Sequence, residues 1–367
     1  AADLARTASA SETALSNRNL VINGAMQVAQ RATSSTAEGY STVDRFRMDT
    51  GGGTITRTQE GLTSGSPYDE GFRNHLRLTV TSAGSNAATD FCYISQNIEA
   101  QNIANSGWDY TSSSSYVTLQ FWVRTSLAGT YYTIIRSVDG TARAFVMPVV
   151  LSANTWTKFT QAISGDSATF EVDNNNGTGL IFEIRPYVGT NYTDSGVSPN
   201  TWYSRSGSAQ TPDYAQNWQS TGSATFDLTG VQLEVGTVAT PFEHRSYGQE
   251  LALCQRYFEI HTTLTDWHMM AMAQAISSTQ MIFFIPFLVT KRVAPTVTFS
   301  ASGTFTANTA GASNAGAASA VAATTSGINE MRGLLTVGSG LSAGNASLLQ
   351  MLGSQDSAAT VKLDSEL

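Results

Sequence analysis

The amino-acid sequence predicts an all-β protein built around a two-sheet antiparallel sandwich. Charged residues make up only 13% of the 367 residues, about half of the quarter that is usual in globular domains, and Gly, Ser, Thr and Asn take their place. Eight or more segments alternate apolar and polar residues, which is typical of strands that bury one face and expose the other. That many short strands, separated by turn-forming residues, indicate two packed sheets.

Residues 1–18 are predicted to form a helix ahead of the strands. Leu4, Ala8, Ser11 and Leu15 are spaced 4-3-4, which is the apolar repeat of a coiled coil. A helix this short is marginal by itself in water. We therefore expect identical helices around a common axis, as in a trimeric coiled coil or attachment segment, or else a terminal helix that lies on the domain.

The strands of the sandwich are predicted over residues 19–242. Residues 19–30 are apolar and then alternating, and residues 40–48 and 54–57 follow the same trend. The clearest period-two segments are residues 75–80, 91–96, 116–124, 131–136, 142–147, 156–163, 180–187 and 224–235.

Residues 243–259 contain helix formers and are predicted to be a linker helix to a smaller β-rich C-terminal domain at 260–367. Strands are expected near 256–264, 281–290, 296–301 and 360–367. Large apolar side chains are sparse between residues 306 and 327, and a unit with so thin a core tends to need neighbours. We therefore expect oligomerisation, with this domain as a possible trimer-forming tip.

Charge and composition exclude several kinds of partner. The 20 basic residues against 28 acidic ones give a net charge of −8, whereas a nucleic-acid binder needs a basic face. No apolar run reaches the ~20 residues of a membrane-spanning helix, so we expect a soluble chain without membrane insertion.

Cys92 and Cys254 lack metal-finger spacing, and each is expected to be a buried apolar residue.

Long strings of the chain resemble known architectures. Tyr116-Val-Thr-Leu-Gln-Phe-Trp-Val-Arg and Ala224-Thr-Phe-Asp-Leu-Thr-Gly-Val-Gln-Leu-Glu are similar to jelly-roll carbohydrate-binding modules, which often accompany glycoside hydrolases. Asn19-Leu-Val-Ile-Asn-Gly-Ala-Met-Gln-Val-Ala-Gln-Arg, Val43-Asp-Arg-Phe and residues 230–257 resemble bacteriophage tail-fibre and related virion proteins. The resemblance implies a jelly roll in a trimeric, exposed virion appendage, attached to other virion proteins through its N-terminal side.

The segment 186–222 is the predicted sugar site. Aromatic rings cover the apolar face of a sugar and carboxylates or amides take its hydroxyls, and long loops on a rigid sandwich often carry binding sites. The candidate residues are Tyr192, Trp202, Tyr203, Asp213, Tyr214 and Trp218. The alternative is that Trp202 and Trp218 plug the edge of the sandwich, because aromatic side chains bury the most area. The loop Trp108-Asp-Tyr110 is a second candidate.

Catalysis is not expected. Gly340-Leu-Ser-Ala-Gly344 matches the nucleophile pattern G-x-S-x-G but lacks the strand–turn–helix context. The carboxylates of Asp69, Glu70 and Asp166 are interpreted as solvated turn residues rather than as a pair of catalytic acids. No cofactor is expected, although the resemblance to jelly-roll modules allows a structural calcium with oxygen ligands.

The sequence therefore leads to one main hypothesis and two alternatives. The main one is a non-enzymatic bacteriophage fibre protein that binds a host cell-surface glycan, with weak sites multiplied by trimeric display. The first alternative is a structural spacer or capsid-decorating virion protein without a ligand. The second is a polysaccharide depolymerase or the binding module of a hydrolase.

Overall fold

The structure, a computed structural model, describes residues 18–166, 170–262, 267–309, 315–352 and 359–367. The predicted N-terminal helix lies outside the described residues, apart from Arg18. The chain divides into two units between Glu250 and Leu251, and Leu367 groups with the first unit.

The first unit is a sandwich of two six-stranded antiparallel sheets. Sheet I has the spatial order β1 (Ser34–Ser35), β3 (Thr54–Gly61), β4 (Asn74–Ser82), β12 (Thr225–Val235), β6 (Tyr116–Thr125) and β9 (Thr157–Ser164). Sheet II has the order β11 (Trp202–Ser204), β8 (Arg143–Leu151), β7 (Gly129–Ser137), β10 (Thr178–Val188), β5 (Phe91–Glu99) and β2 (Arg47–Gly51). Apart from the pairs β3–β4 and β7–β8, neighbouring strands are not consecutive along the chain, so residues far apart in sequence meet on each sheet.

The two sheets enclose one apolar core, as the period-two pattern predicts. On β10, Leu180, Phe182 and Ile184 are buried in this core, together with side chains of sheet I such as Leu119. Successive residues of a strand point to opposite faces, so Glu183 lies on the outer face of sheet II. The predicted all-β antiparallel sandwich is confirmed.

The described helices are short. They are α1 (Ser66–Asp69), α2 (Ala100–Ala104) and α3 (Tyr247–Gln255). The predicted linker helix at 243–259 is thus reduced to nine residues, and the chain beyond it enters a strand. Among the described residues, no helix combines the length and the apolar character that crossing a membrane requires.

The prediction of a strand at residues 19–30 is wrong. This segment is irregular, although Val21, Met26 and Val28 are buried. Asn23 and Met26 have positive φ values of 60° and 57°, which breaks an extended backbone. The Asn23 side chain instead donates to the carbonyls of Val28 and Asp44 and accepts from the Val28 amide.

The second unit contains two further antiparallel sheets. Sheet III has the order β13 (Phe258–Thr262), β21 (Thr360–Asp364) and β16 (Thr296–Phe299). Sheet IV has the order β17 (Phe305–Thr309), β20 (Ala346–Met351), β14 (Met269–Ala275), β15 (Gln280–Pro286), β19 (Glu330–Thr336) and β18 (Ala320–Ser326). The predicted β-rich C-terminal domain is confirmed. Four of its strands lie where they are expected, and five further strands are not predicted by the sequence.

Both cysteines are buried, as expected, and neither forms a disulfide. Burial raises the pKa of the Cys92 thiol to about 12. This thiol therefore stays protonated at neutral pH and behaves as a small apolar side chain.

Candidate functional site

The connection from β10 to β12 folds over the outer face of sheet II. Within it, β11 pairs with β8, and Val197 packs on an apolar patch of the sheet formed by Tyr132, Ile134, Ala144 and Val146. Tyr203, Ala209 and Tyr214 pack against the same patch. The long predicted loop is therefore a fixed layer over one half of the sheet.

The uncovered part of this face forms a cavity of about 220 Å³. We call it the arginine pocket. Strands β5, β7 and β10 supply most of its lining, and the connection supplies the rest. Its residues are Phe91, Tyr93, Arg136, Glu183, Arg185, Val188, Tyr192, Arg205 and Gln210.

A buried carboxylate anchors the charged side of the pocket. Glu183 is 1% exposed, and its two oxygens accept from Arg136 Nε at 2.5 Å and from Arg185 Nε at 2.8 Å. Burial alone would raise the pKa of Glu183. The attraction of Arg185, Arg136 and Arg205 outweighs it and lowers the pKa to about 2. The carboxylate is therefore ionised and fixes two guanidinium groups in place.

Gln210 connects the sheet to the overlying connection. Its side-chain oxygen accepts from Arg185 Nη1 at 2.7 Å and from Arg205 Nη2 at 2.6 Å. The Tyr203 hydroxyl donates to the Gln210 carbonyl at 2.6 Å. These bonds hold Arg205, which lies on the connection, beside the two arginines of the sheet.

Several donors of the pocket have no acceptor among the described residues. They are both terminal nitrogens of Arg136 and Nη1 of Arg205, which are not buried, and Nε of Arg205, which is buried. Burial, followed by repulsion from Arg185, lowers the pKa of Arg205 to about 10. The group remains a cation at neutral pH with unused hydrogen-bonding capacity.

Aromatic side chains form another part of the lining. The rings of Phe91 and Tyr93 are stacked with centroids 5.9 Å apart, and Tyr192 meets Phe91 edge-on at 5.7 Å. The Arg185 guanidinium lies 5.2 Å from the Tyr93 ring centre, within the range of a cation–π contact. The pocket thus combines apolar ring surface with oriented N–H donors.

The six predicted site residues separate into three groups. Tyr192 lines the arginine pocket, and Tyr203 supports it by bonding to Gln210. Asp213 is exposed and accepts from the Thr193 hydroxyl. A role of these residues in sugar binding stays a prediction.

The other three point away from solvent. Trp218 is 0% exposed in the sandwich core, with its indole N–H donated to Thr225. Trp202 packs against that core, and its indole N–H bonds to Ser164 at 2.7 Å. Tyr214 rests on Tyr132 with ring centres 5.0 Å apart. The packing of both tryptophans matches the alternative in which they fill the edge of the sandwich.

The second predicted loop is also internal. Trp108 is 3% exposed and belongs to the core, where its ring meets Phe170 at 5.7 Å. Tyr110 packs against the same core. The structure therefore leaves little aromatic surface for a ligand at residues 108–110.

Most of the pocket is not predictable from the sequence, although one signal is present. Residues 180–187 are apolar except for Glu183 and Arg185, which are two positions apart and so share one face of the strand. Opposite charges on an otherwise buried strand mark a polar feature on that face. Phe91, Tyr93 and Arg136 carry no comparable signal because only the strand order brings them beside β10.

A larger cavity of about 760 Å³ lies at the outer side of sheet I. Its charged groups are engaged with each other: Lys158 donates to Glu70 at 2.8 Å, and the Trp122 indole donates to the same carboxylate at 3.0 Å. The His244 ring nitrogen bonds to the Glu70 carbonyl. The charges of Lys158 and Glu70 in this cavity thus already compensate each other.

In the described ranges, no group of three or more His, Cys, Asp or Glu side chains is placed to hold a metal ion. The structural calcium allowed by the sequence resemblance stays a prediction.

No protein-family model and no curated protein matches this chain. Among solved structures, the chain is similar to a family 16 carbohydrate-binding module (12% identity, 49% of this chain and 84% of that chain, TM-score 0.24). It is also similar to the N-terminal cellulose-binding domain of β-1,4-glucanase C from Cellulomonas fimi (9% identity, 58% of this chain and 99% of that chain, TM-score 0.28). An exo-β-agarase matches over 61% of this chain and 25% of its own length (9% identity, TM-score 0.29). With TM-scores this low, these likenesses carry no argument about what the chain binds.

Proposed function

We propose that this chain is a non-enzymatic glycan-binding protein and that the arginine pocket is its sugar site. The observation that carries the proposal is the meeting of aromatic rings and unpaired N–H donors in one preformed cavity. Small-ligand sites are typically concave, with aromatic lining and a few polar groups that fix orientation. A sugar ring, apolar on its faces and polar at its edge, matches both features.

We further propose that the chain is a bacteriophage fibre protein exposed on the virion, a homotrimer that binds a host cell-surface glycan. The resemblance of residues 19–31, 43–46 and 230–257 to tail-fibre proteins supports this assignment. Large apolar side chains that are exposed on the second unit support self-association, among them Met269 (58%), Met272 (79%), Phe284 (50%) and Leu288 (67%).

Binding of surface polysaccharides tests the glycan-binding proposal. The full chain is applied to an array of purified bacterial polysaccharides, and bound protein is quantified. Tyr192→Ala should weaken binding roughly tenfold, as expected for an aromatic contact residue. Tyr247→Ala is the control, because Tyr247 is 57% exposed and outside the pocket. No binding to any polysaccharide, or equal binding by Tyr192→Ala and the native chain, would overturn the proposal.

Release of reducing sugar tests the non-enzymatic part. The polysaccharides that bind are incubated with the chain, and reducing ends are measured over time. We expect no increase above the protein-free blank. A steady increase in reducing ends would favour the depolymerase alternative. If the chain forms a trimer but binds none of the polysaccharides on the array, the structural spacer is favoured.

A further inference from the structure

The arginine pocket differs in charge from the chain that contains it. The whole chain has a net charge of −8, whereas the pocket holds Arg136, Arg185 and Arg205 against the single carboxylate of Glu183. The nearby carboxylate of Asp49 is already paired with Arg47 at 2.7 Å. The pocket therefore has an excess of positive charge that side chains in its lining do not balance.

The unused donors belong to the two arginines at its accessible side. Arg185 is 2% exposed, and its nitrogens bond to Glu183 and Gln210. The Arg136 side chain is 20% exposed, and its terminal nitrogens lack acceptors among the described residues, as does Nη1 of Arg205. A guanidinium group presents paired N–H donors that match the two oxygens of a carboxylate.

A neutral sugar would leave this charge uncompensated. Covering a cation with a ligand removes water from it, and this costs free energy unless the ligand supplies a compensating charge. A free small anion would compensate the charge but make no use of Tyr93 and Tyr192, whose hydroxyls also lack partners in the part of the chain that the structure describes. An acidic sugar uses both parts of the pocket.

We infer that the arginine pocket binds a sugar that carries a carboxylate, with the carboxylate on Arg136 and Arg205 and the ring beside Tyr93 and Tyr192. This inference rests on the proposed function and specifies the chemical class of its ligand. Host surface glycans that contain uronic or sialic acids are the corresponding class of target.

Paired saccharides test the inference on the full chain. Oligosaccharides of galacturonate, glucuronate and N-acetylneuraminate, and the carboxyl-reduced form of each, are titrated by calorimetry. At least one acidic form should bind 10- to 100-fold more tightly than its reduced form, roughly the contribution of hydrogen bonds to a charged group. This preference should shrink as salt is added.

Substitutions assign the preference to the pocket. Arg136→Gln and Arg205→Gln should each remove most of the preference for the acidic form. Arg124→Gln on sheet I is the matched control: its side chain is 29% exposed and shares the buried carboxylate of Asp227 with a second arginine, Arg77. Arg136 likewise shares Glu183 with Arg185. Arg205 lies outside the strands, so Arg205→Gln remains informative if Arg136→Gln does not fold.

The outcomes separate this inference from the proposed function. Equal or tighter binding of the reduced saccharides overturns the inference and leaves glycan binding standing. No binding of any saccharide, acidic or reduced, overturns both. Acetate that binds as tightly as the acidic saccharides, or an acidic preference retained in both arginine variants, also overturns the inference.

Discussion

Glu183 lies between two arginines, and its carboxylate is almost fully buried. Replacement by glutamine keeps the size of the side chain but leaves the 2%-exposed Arg185 without its counter-charge. Breaking a buried ion pair by removing one partner costs about 3–5 kcal/mol. For Glu183→Gln we predict that the free energy of unfolding falls by about 3 kcal/mol, the lower end of this range, because Arg136 is partly solvated.

Urea unfolding at pH 7, followed by tryptophan fluorescence, measures this loss. Five of the six tryptophans lie in the first unit, so the signal reports mainly on the sandwich. The exposed Glu38 provides the control variant Glu38→Gln, for which we expect a change within about 0.5 kcal/mol. Coincident unfolding curves for the two variants would show that the Glu183 ion pairs contribute nothing.

The same carboxylate makes a pH dependence predictable. The pKa of Glu183 is about 2 in the folded chain against an ordinary 4.5, so the folded state favours the ionised form. Its stabilising contribution is present above the unfolded pKa and is lost as pH falls from about 5 towards 2. The stability difference between the native chain and Glu183→Gln should therefore shrink between pH 7 and pH 3 in urea titrations. If this stability difference stays constant between pH 7 and pH 3, the conclusion that Glu183 is ionised in the folded chain is contradicted.

For individual site residues, the sequence predicts the loop better than the strands. Tyr192 was identifiable because aromatic and polar residues are concentrated in one long connection. Tyr93, Arg136 and Glu183 come from β5, β7 and β10, which are adjacent only because of the strand order. Alternation shows which face a residue occupies, but it does not show which strand lies beside it.

The long strands of the sandwich were predictable, whereas five strands of the second unit were not, including β14, β19 and β20 with their Met and Leu residues. Residues 116–124 and 180–187 alternate clearly and coincide with β6 and β10. The strand β18 (Ala320–Ser326) contains mainly Ala and Thr, and such residues give almost no hydrophobic period. The strand predicted at residues 19–30 is wrong for the opposite reason. Its apolar residues are buried, but the backbone that carries them is irregular.

One glycine in the second unit shows how a strand depends on its neighbour. Gly333 on β19 pairs with Phe283 on β15, and a Cβ at this position would come within 2.1 Å of the Phe283 ring. Gly333→Ala should therefore lower the stability of this unit by about 1–3 kcal/mol, the usual cost of overpacking. Gly338→Ala is the control, because nothing lies within 4 Å of its added Cβ.

Calorimetric unfolding of the two variants measures the difference. We expect Gly333→Ala to lower a transition temperature and Gly338→Ala to leave it nearly unchanged. Equal transition temperatures would mean that the Phe283 ring can move aside without a loss of stability.

The proposed trimer makes a prediction about the intact chain. Light scattering on a sizing column should give a mass near three times the 39.0 kDa of one chain. A version without residues 1–18 distinguishes the two predicted contacts: loss of the trimer assigns it to the N-terminal repeat, and a retained trimer assigns it to the second unit. A monomeric full chain would contradict the proposed homotrimer.

The scarcity of lysine has a practical consequence for coupling the protein to a surface. Of the three lysines, Lys291 is 1% exposed and sealed against amine-reactive reagents, whereas Lys158 on β9 of sheet I and Lys362 on β21 are exposed. The arginine pocket opens on sheet II, the other layer of the sandwich. Coupling through lysine therefore attaches a chip or bead at Lys158, on the sheet that does not carry the pocket, or at Lys362 in the second unit, and it modifies no side chain of the pocket lining.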